Sequence, residues 1–225
     1  MLLKRSYTSE IMDDFSIQDE RISLALSELT VANRLLGGIS TTREALRLIL
    51  NGKLNNEISV LDIGAGASDI LKHLKKDLFQ IKLTSIDLNR QACKFLKGNS
   101  VSDIICADSL RVPVKEKVFD IVHASLFFHH FNKEEIVKML SAFLKISKSG
   151  IIVNDLRRSV FALWGIKIIS ALFSKSEMFK NDGPLSVRRG FIKSDWIEIL
   201  KSLGISGYKL KRKWAFRWML VIYVK

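Results

Sequence analysis

From residue 59 onward, short apolar runs rich in β-branched residues alternate with segments whose apolar positions recur at helical spacing. This alternation is typical of a parallel sheet that carries helices on both faces. Two final runs are predicted to pair as an antiparallel hairpin that ends the sheet. The predicted strands of the parallel part span residues 59–63, 81–87, 103–107, 119–124 and 150–155, and the hairpin spans residues 207–213 and 216–224.

Helices are predicted both ahead of the sheet and between its strands. Residues 17–36 and 41–50 have helical patterns and are separated by a pair of glycines. Asn132 and Glu135 have the spacing of a capping box, which predicts the start of a helix between the fourth and fifth strands. The whole pattern predicts a doubly wound α/β fold with a mostly parallel seven-stranded sheet and an N-terminal helical extension or cap over residues 1–52.

The composition is that of a globular chain, since 48% of the 225 residues are hydrophobic and only two are proline. Lys and Arg number 36 against 23 Asp and Glu, which gives a formal net charge of +13. Such a charge suits nucleic acid, a phospholipid surface or an acidic substrate, and it equally suits a solvated basic surface. The charge therefore leaves the kind of partner open.

The sequence does not favour export, a disulfide framework or a metal site. Cys93 and Cys106 fall in a predicted helix and a predicted strand, which favours reduced thiols in the core. Lys4 and Arg5 are followed by no apolar run, so a secretory signal is not expected. The apolar segment 160–173 contains a lysine and is shorter than the roughly 20 residues that a spanning helix needs. We therefore expect a cytoplasmic protein with a buried or interfacial helix there.

The strongest motif is a glycine turn between the first strand and the helix that follows it, with Gly64 and Gly66 at its centre. Glycines let the backbone approach a ligand closely, and the N-terminus of the next helix offers free amides. Asp87 follows Gly66 at the spacing where nucleoside-binding fingerprints place a carboxylate for ribose. Asp108 ends the third strand, where it can accept a hydrogen bond from an adenine amino group. Each Asp alone could cap a helix, but the set in register predicts a nucleoside cofactor.

This set resembles the class I S-adenosylmethionine-dependent methyltransferases. The resemblance implies a Rossmann-like fold, with residues 53–225 as the methyltransferase domain and S-adenosylmethionine as the cofactor. One departure is Ser68, which stands where the common motif has its third glycine. The matching stretches lie within residues 60–131: Leu61-Asp62-Ile63-Gly64-Ala65-Gly66, Ile86-Asp87-Leu88, Ala107-Asp108-Ser109-Leu110-Arg111-Val112-Pro113, Phe119-Asp120-Ile121-Val122-His123-Ala124-Ser125 and Leu126-Phe127-Phe128-His129-His130.

The resemblance also implies roles for individual residues. The glycine loop would meet the methionine part of the cofactor, Asp87 the ribose hydroxyls and Asp108 the adenine. A further hypothesis is that Arg34, just before the predicted helix break, presents a bidentate guanidinium to the cofactor carboxylate, against the alternative of a surface arginine. With Arg34, the candidate cofactor-binding residues are Asp62, Gly64, Ala65, Gly66, Asp87, Leu88, Asp108, Ser109 and Ser125.

The flanking segments resemble methyltransferases encoded beside type III polyketide synthases in bacteria, which implies a phenolic or related polyketide acceptor. Arg188 and Arg189 could bring positive charge towards the crevice or lie in a solvated loop. Residues 159–173 could cover a substrate pocket, contact an anionic membrane or form an ordinary core helix. The matching stretches are Met12-Asp13-Asp14, Ala32-Asn33-Arg34-Leu35-Leu36-Gly37-Gly38, Val153-Asn154-Asp155-Leu156 and Gly183-Pro184-Leu185-Ser186-Val187-Arg188-Arg189.

His129 and His130 follow the fourth strand and border the crevice where a methyl acceptor must lie. A neutral imidazole can take the proton of a phenol as the methyl group arrives. Adjacent loop residues usually point to different sides, so we expect one of the two histidines, with His130 preferred, to be the base. Asn154 and Asp155 end the fifth strand at the same crevice and complete the candidate catalytic set. The alternative is that both histidines pack the loop, because an ionised acceptor or carbon methylation needs no base.

Three other functions share parts of this pattern. Quinone-precursor C-methyltransferases share the core motifs, so carbon methylation stays open. An RNA methyltransferase would suit the net charge, but enzymes that methylate base amino groups usually have Asn or Asp, then Pro-Pro and an aromatic residue, where this chain has Ala124-Ser125-Leu126-Phe127. A non-catalytic cofactor-binding protein on the same fold is the third. The preferred function is methyl transfer to an oxygen of a small aromatic, polyketide or lipid-like molecule.

Overall fold

The computed structural model describes residues 4–51, 57–77, 80–99, 101 and 103–224. Within these ranges, seven strands form one sheet in the order β3-β2-β1-β4-β5-β7-β6. Strands β1 to β5 pair in parallel, and β7 pairs antiparallel with both β5 and β6. The strands are β1 (Ile58–Ile63), β2 (Ile81–Asp87), β3 (Asp103–Cys106), β4 (Phe119–Ser125), β5 (Ser147–Leu156), β6 (Tyr208–Lys213) and β7 (Arg217–Tyr223).

The predicted fold class is confirmed, including the C-terminal antiparallel hairpin. Helix α2 begins earlier than predicted because Gly38 is its first residue, while Gly37 precedes it with a left-handed φ of 76°. The helices are α1 (Glu20–Leu35), α2 (Gly38–Leu50), α3 (Asp69–Asp77), α4 (Arg90–Gly98), α5 (Lys133–Ile146), α6 (Val160–Phe173), α7 (Glu177–Arg189) and α8 (Lys193–Ser202).

The sheet is buried on both faces, which explains why its central strands read as nearly continuous apolar runs. Phe143 of α5 and Trp196 of α8 are fully buried on one face. Leu46 of α2 and Leu71 of α3 are fully buried on the other. The N-terminal helix α2 therefore shares the core of the sheet. The predicted capping box at the start of α5 is also confirmed, because Asn132 and Glu135 exchange backbone-to-side-chain hydrogen bonds of 2.9 Å.

Residues 4–19, which we call the N-terminal strap, run across the end of the sheet where the parallel strands finish. Arg5 Nε donates to the carbonyl oxygen of Arg189 at 2.9 Å. The carboxylate of Asp182 in α7 accepts hydrogen bonds from the backbone N–H groups of Ile11 and Met12 at 2.8 and 3.0 Å. The strap is thus tied to α7. Among the described helices, none is both long and apolar enough to cross a membrane.

Candidate active site

The glycine turn lies at the carboxyl end of β1 and shapes a crevice there. Gly64 has a φ of 60°, and a Cβ on it would lie 2.2 Å from the Phe127 ring, so the position admits only glycine. Gly66 has a φ of 52°, and its backbone N–H donates to Asp87 Oδ2 at 2.8 Å. Ala65 N–H donates to the carbonyl oxygen of Ile86. The turn is therefore fixed against the end of β2.

Ser68, the departure from the glycine motif, also has a left-handed φ of 47°. Its hydroxyl donates to Asp62 Oδ2 and lies 2.9 Å from the hydroxyl of Ser85. These hydrogen bonds offset the strain of a non-glycine residue in that conformation. Asp62 also binds His123 Nδ1 at 2.7 Å through its other oxygen. Asp62 therefore holds the loop in shape from within the protein.

Asp87 occupies the predicted ribose position. Its carboxylate accepts hydrogen bonds from the backbone N–H groups of Gly66 and Asn89. Burial raises the pKa of Asp87, and these two hydrogen bonds oppose the shift. Leu88 beside it is exposed and lines the same cavity. An oriented, largely desolvated carboxylate of this kind suits two neighbouring hydroxyl groups.

Asp108, Ser109 and Ser125 also line this cavity. Asp108 Oδ1 caps a short 3-10 turn by accepting from Leu110 N–H at 2.9 Å, so the capping interpretation of this residue is correct for one of its oxygens. The Ser125 hydroxyl at the end of β4 is buried and has no hydrogen-bond partner among the described residues. An orphaned hydroxyl and a turn that admits only glycine both fit a bound nucleoside cofactor.

The crevice opens into one cavity of about 770 Å³, within the range of about 300–1,000 Å³ that is usual for small-molecule sites. Its second half lies under the strap, α6 and α7 and is mainly apolar. Helix α6 contributes its inner face, whereas Phe161, Trp164 and Phe173 on its outer face are exposed. Helix α6 therefore covers part of the cavity, while its role over a substrate and contact of its outer face with an anionic membrane stay predictions. Apolar residues of this half include Tyr7, Met12, Phe15, Phe131, Ile166, Ile169, Met178 and Phe179.

Both predicted histidines line the cavity, and their rings stack with centroids 4.2 Å apart. The expectation that they point to different sides is wrong, because a 3-10 turn at Phe128–His130 presents both rings together. His129 Nδ1 lies 2.7 Å from Asp155 Oδ1, and His130 Nδ1 lies 2.6 Å from Asp13 Oδ1. Each ring is thus oriented by its own carboxylate.

Asp155 acts behind His129, not on a substrate. It is fully buried, does not line the cavity, and also accepts hydrogen bonds from the backbone N–H groups of His129 and Leu156. Burial raises the pKa of Asp155, but the charge and hydrogen bond of His129 outweigh it and lower the pKa overall. Its predicted catalytic role is therefore corrected to a positioning role.

Asn154 is not a catalytic residue in this structure. Its side-chain amide donates to the carbonyl oxygen of Gly38 at 2.9 Å and to Thr42 Oγ1 at 3.0 Å, and its Oδ1 accepts from Arg217. The residue is fully buried and lies outside the cavity lining. Asn154 therefore joins α2 to β5 and β7.

The strap brings two carboxylates to the histidines that the sequence did not identify. Asp13 accepts hydrogen bonds from His130 Nδ1 and from Arg189 Nη1, each at 2.6 Å. Burial raises the pKa of Asp13, but the hydrogen bond and charge of His130 outweigh it and hold the pKa well below its ordinary value. Glu10 Oε1 lies 3.6 Å from His129 Nε2. Burial raises the pKa of Glu10 to about 7, against the opposing charges of His130 and Arg189. We call Glu10, His129 and His130 the His–Glu cluster.

Arg189 fixes this arrangement from α7. Its guanidinium is buried and donates to the carbonyl oxygens of His129, His130 and Thr8 as well as to Asp13. Of the two arginines considered in the sequence, Arg189 thus lies at the site, whereas Arg188 is exposed. Arg189 therefore links the strap to the two histidines of the His–Glu cluster.

Arg34 does not face the cavity. It is exposed on α1 and is not part of the lining, so its predicted contact with the cofactor carboxylate is wrong. Its neighbour Asn33 is buried and lines the cavity together with Arg217. Arg217 donates to Asn33 Oδ1, to Asn154 Oδ1 and to the carbonyl oxygen of Leu36. Burial lowers the pKa of Arg217 to about 10, and within the described residues no carboxylate lies at ion-pair distance from it.

The two cysteines are free thiols, as expected, but they are not core residues. Cys93 is half-buried in α4 and Cys106 is exposed in β3. Burial is the main cause that raises the pKa of Cys93, to about 12, with the neighbouring Cys106 adding to the shift. Neither thiol lines the cavity, so neither takes part in the candidate site.

Residues 60–150 match the protein family described as a methyltransferase domain. The matched range runs from within β1 into β5 and contains the glycine turn, Asp87, Asp108 and both histidines. In sequence, the chain matches no protein of curated function.

Several solved structures share the fold. The plantazolicin methyltransferase BpumL, solved with a triazolic desmethylPZN analogue and SAH, has a TM-score of 0.68 and 17% identity over 96% of this chain and 100% of its own. The plantazolicin methyltransferase BamL has a TM-score of 0.63 and 21% identity over 83% of this chain and 70% of its own. Magnesium protoporphyrin IX methyltransferase from Synechocystis PCC 6803, solved with SAM, has a TM-score of 0.54 and 13% identity over 83% of this chain and 78% of its own.

The match of residues 60–150 to a methyltransferase domain gives the class of this protein. It is an S-adenosylmethionine-dependent methyltransferase. The identities to solved structures are low, so their own substrates do not transfer to this chain. The resemblance to enzymes encoded beside type III polyketide synthases stays a prediction.

Proposed function

We propose that this enzyme transfers a methyl group to an oxygen of a small, largely apolar acceptor, such as a phenolic polyketide. The observation that carries the proposal is the position of the His–Glu cluster. It lines an apolar half-cavity that is continuous with the crevice of Gly64, Asp87 and Asp108. Proton-accepting groups are thus placed where an apolar hydroxyl compound would meet the cofactor.

The cofactor assignment follows from the crevice residues. We place the methionine part along Gly64, Ala65 and Gly66, the ribose hydroxyls on Asp87, and the adenine beside Asp108. The carboxylate of the cofactor would lie at Arg217, a buried cation at the cavity wall with no carboxylate partner among the described residues. A buried charge without a counterion is costly, so an anionic ligand group there stabilises both partners.

In this reaction the chain supplies position, a dry environment and a proton acceptor. When bound, S-adenosylmethionine supplies an electrophilic methyl group, and the electron pair of the broken bond stays on sulfur. His130 is the preferred base, because it lines the cavity and its side chain is 22% exposed against 3% for His129. The hydroxyl proton of the acceptor passes to the free ring nitrogen of this histidine, and Asp13 stabilises the imidazolium that results.

The test is turnover of His129→Ala and His130→Ala on a panel of alkyl-substituted phenols, with matched anilines as non-oxygen acceptors. We expect His130→Ala to lower phenol turnover by about 100-fold or more, because a positioned base typically contributes that much. His73→Ala, in α3 and outside the cavity lining, is the matched control. Affinity for S-adenosylhomocysteine should be unchanged in all three. If both cluster variants keep more than half of wild-type turnover, the proton does not pass to these histidines.

A further inference from the structure

The His–Glu cluster brings three electron-pair donors together. One ring nitrogen of each histidine and one carboxylate oxygen of Glu10 lie within 4.8 Å of one another. Glu10 is buried, with only 6% of its surface exposed. Its Oε1 has no hydrogen-bond partner among the described residues. A buried carboxylate oxygen without a partner indicates a ligand, because such an oxygen is expensive to leave unsatisfied.

The hydrogen bonds around the cluster fix which atoms face inward. Asp155 accepts three backbone N–H groups, which keeps it ionised, so His129 Nδ1 must donate to it. Asp13 accepts from Arg189 and from the backbone N–H of Glu10, so His130 Nδ1 donates to Asp13 in the same way. In the neutral rings both lone pairs are therefore on Nε2. The two Nε2 atoms are then able to act as ligands.

We propose that the His–Glu cluster binds one divalent transition-metal ion, for which its donor set best suits Zn²⁺. Two imidazoles and one carboxylate are a common ligand set of catalytic zinc, with a fourth position open. At metal–ligand distances of about 2.0–2.1 Å, tetrahedral neighbours lie about 3.4 Å apart. The 3.6 Å between His129 Nε2 and Glu10 Oε1 is too long for a hydrogen bond and close to that spacing.

The surroundings are those of a metal site as well. Ligating histidines almost always donate their other ring N–H to a carboxylate or carbonyl, and Asp155 and Asp13 accept those hydrogen bonds here. Arg189 Nε lies 3.9 Å from Glu10 Oε1, but the guanidinium donates to His129, His130, Thr8 and Asp13 instead. Arg189 therefore acts on Glu10 through its charge and leaves Glu10 Oε1 without a hydrogen bond.

This inference deepens the proposed function and rests on it for the identity of the acceptor. An acceptor hydroxyl bound at the open position would lose its proton to solvent, because the ion lowers its pKa. The acceptor oxygen would then form the new C–O bond as the bond between methyl carbon and sulfur breaks, and the sulfur would keep the electron pair. With the ion bound, His130 would be a ligand and would not act as the base assigned to it above, so the two accounts differ in the route of the proton and agree on methylation of oxygen.

Metal binding is measured first without any acceptor, by calorimetry with Zn²⁺ alone and by metal content after dialysis. The visible spectrum of the Co²⁺ form reports the ligand geometry. We expect one ion per chain in wild type and in the His73→Ala control. Glu10→Gln and His129→Ala should lose it, with affinity for S-adenosylhomocysteine retained as proof of folding. Asp13→Asn should lower the affinity for Zn²⁺ by about 10- to 100-fold, the usual effect of losing a residue that orients a metal ligand.

The outcomes separate this inference from the proposed function. A chain that binds no Zn²⁺, or binds it equally well after Glu10→Gln and His129→Ala, overturns the metal site. Phenol methylation that survives removal of the ion by a chelator would overturn the role of the ion in the reaction and would leave the proposed function standing. One Zn²⁺ bound through the cluster supports the site even if every oxygen acceptor fails, in which case the proposed function alone is wrong.

Discussion

Arg217 is a buried cation at the cavity wall, and among the described residues its hydrogen bonds go to amide and carbonyl oxygens. Arg217→Met should lower the affinity for S-adenosylhomocysteine by about 10- to 150-fold. This loss is equivalent to one charge-assisted hydrogen bond of about 1.5–3 kcal/mol. Binding of methylthioadenosine, which lacks the carboxylate, should be unchanged. Calorimetry on both ligands separates loss of the contact from general damage. Arg34→Met is the matched control, and a loss of affinity in that variant would contradict the corrected assignment.

Asp87 should carry the ribose contact. Asp87→Ala is expected to lower the affinity for S-adenosylhomocysteine by about 10- to 150-fold, because at least one charge-assisted hydrogen bond is lost. Asp103→Ala, an exposed carboxylate at the other end of the neighbouring strand β3, should leave affinity unchanged. Calorimetric titration with S-adenosylhomocysteine measures both. Equal affinity in the wild type and the Asp87 variant would remove Asp87 from the site.

At the residue scale, the sequence predicted what depends on local spacing. Gly64, Gly66 and Asp87 each follow a strand of the parallel sheet, so their convergence follows from the order of strands. Glu10 and Arg217 could not be found in this way. Glu10 reaches His129 from a segment with no periodic pattern, and Arg217 contacts Asn33 across 184 positions of the chain. Such contacts depend on tertiary packing that no local pattern encodes.

At the scale of elements, the N-terminal strap adds Glu10 and Asp13 to the candidate site. Removal of residues 1–14 takes away Glu10 and Asp13 but leaves α1 and the glycine turn. We expect turnover to fall by about 100-fold or more, the typical contribution of a positioned proton acceptor. Cofactor affinity should change little, because Asp87 and Arg217 remain. Single-turnover assays and calorimetry measure the two effects.

A shorter truncation that removes residues 1–4 provides the control for the strap. It keeps Arg5, whose side chain donates to the carbonyl oxygens of Arg189 and Phe131, and should behave as wild type. Full turnover of the longer truncation would show that the strap has no part in the chemistry.

The strands and most helices could be predicted because each shows a period of its own. The strap could not, since its path is fixed by Asp182 and Arg189 of α7, more than 160 residues away. The stacking of His129 on His130 was missed for a related reason. Both histidines lie in a 3-10 turn, which has three residues per turn. Their ring orientations are set by the carboxylates of Asp155 and Asp13, which lie on two other parts of the chain.

At the scale of the whole molecule, the net charge of +13 stays without an assigned partner. The cavity walls that the structure describes are mainly apolar beyond the cofactor crevice, and the outer face of α6 exposes Phe161, Trp164 and Phe173. These features favour an apolar acceptor over a polyanionic one. RNA offered at several salt concentrations should therefore bind, if at all, with steep salt dependence and receive no methyl group.

The most direct measurement follows an isotopically labelled methyl group from S-adenosylmethionine into a mixture of lipid-soluble and phenolic small molecules. Mass spectrometry identifies the product, and the carbon chemical shift of the labelled methyl group identifies the atom that carries it. We predict a single small apolar product that gains one CH2 unit and shows a methoxy carbon. A labelled methyl on carbon or nitrogen, or label found only in RNA or protein, would contradict oxygen methylation of a small acceptor.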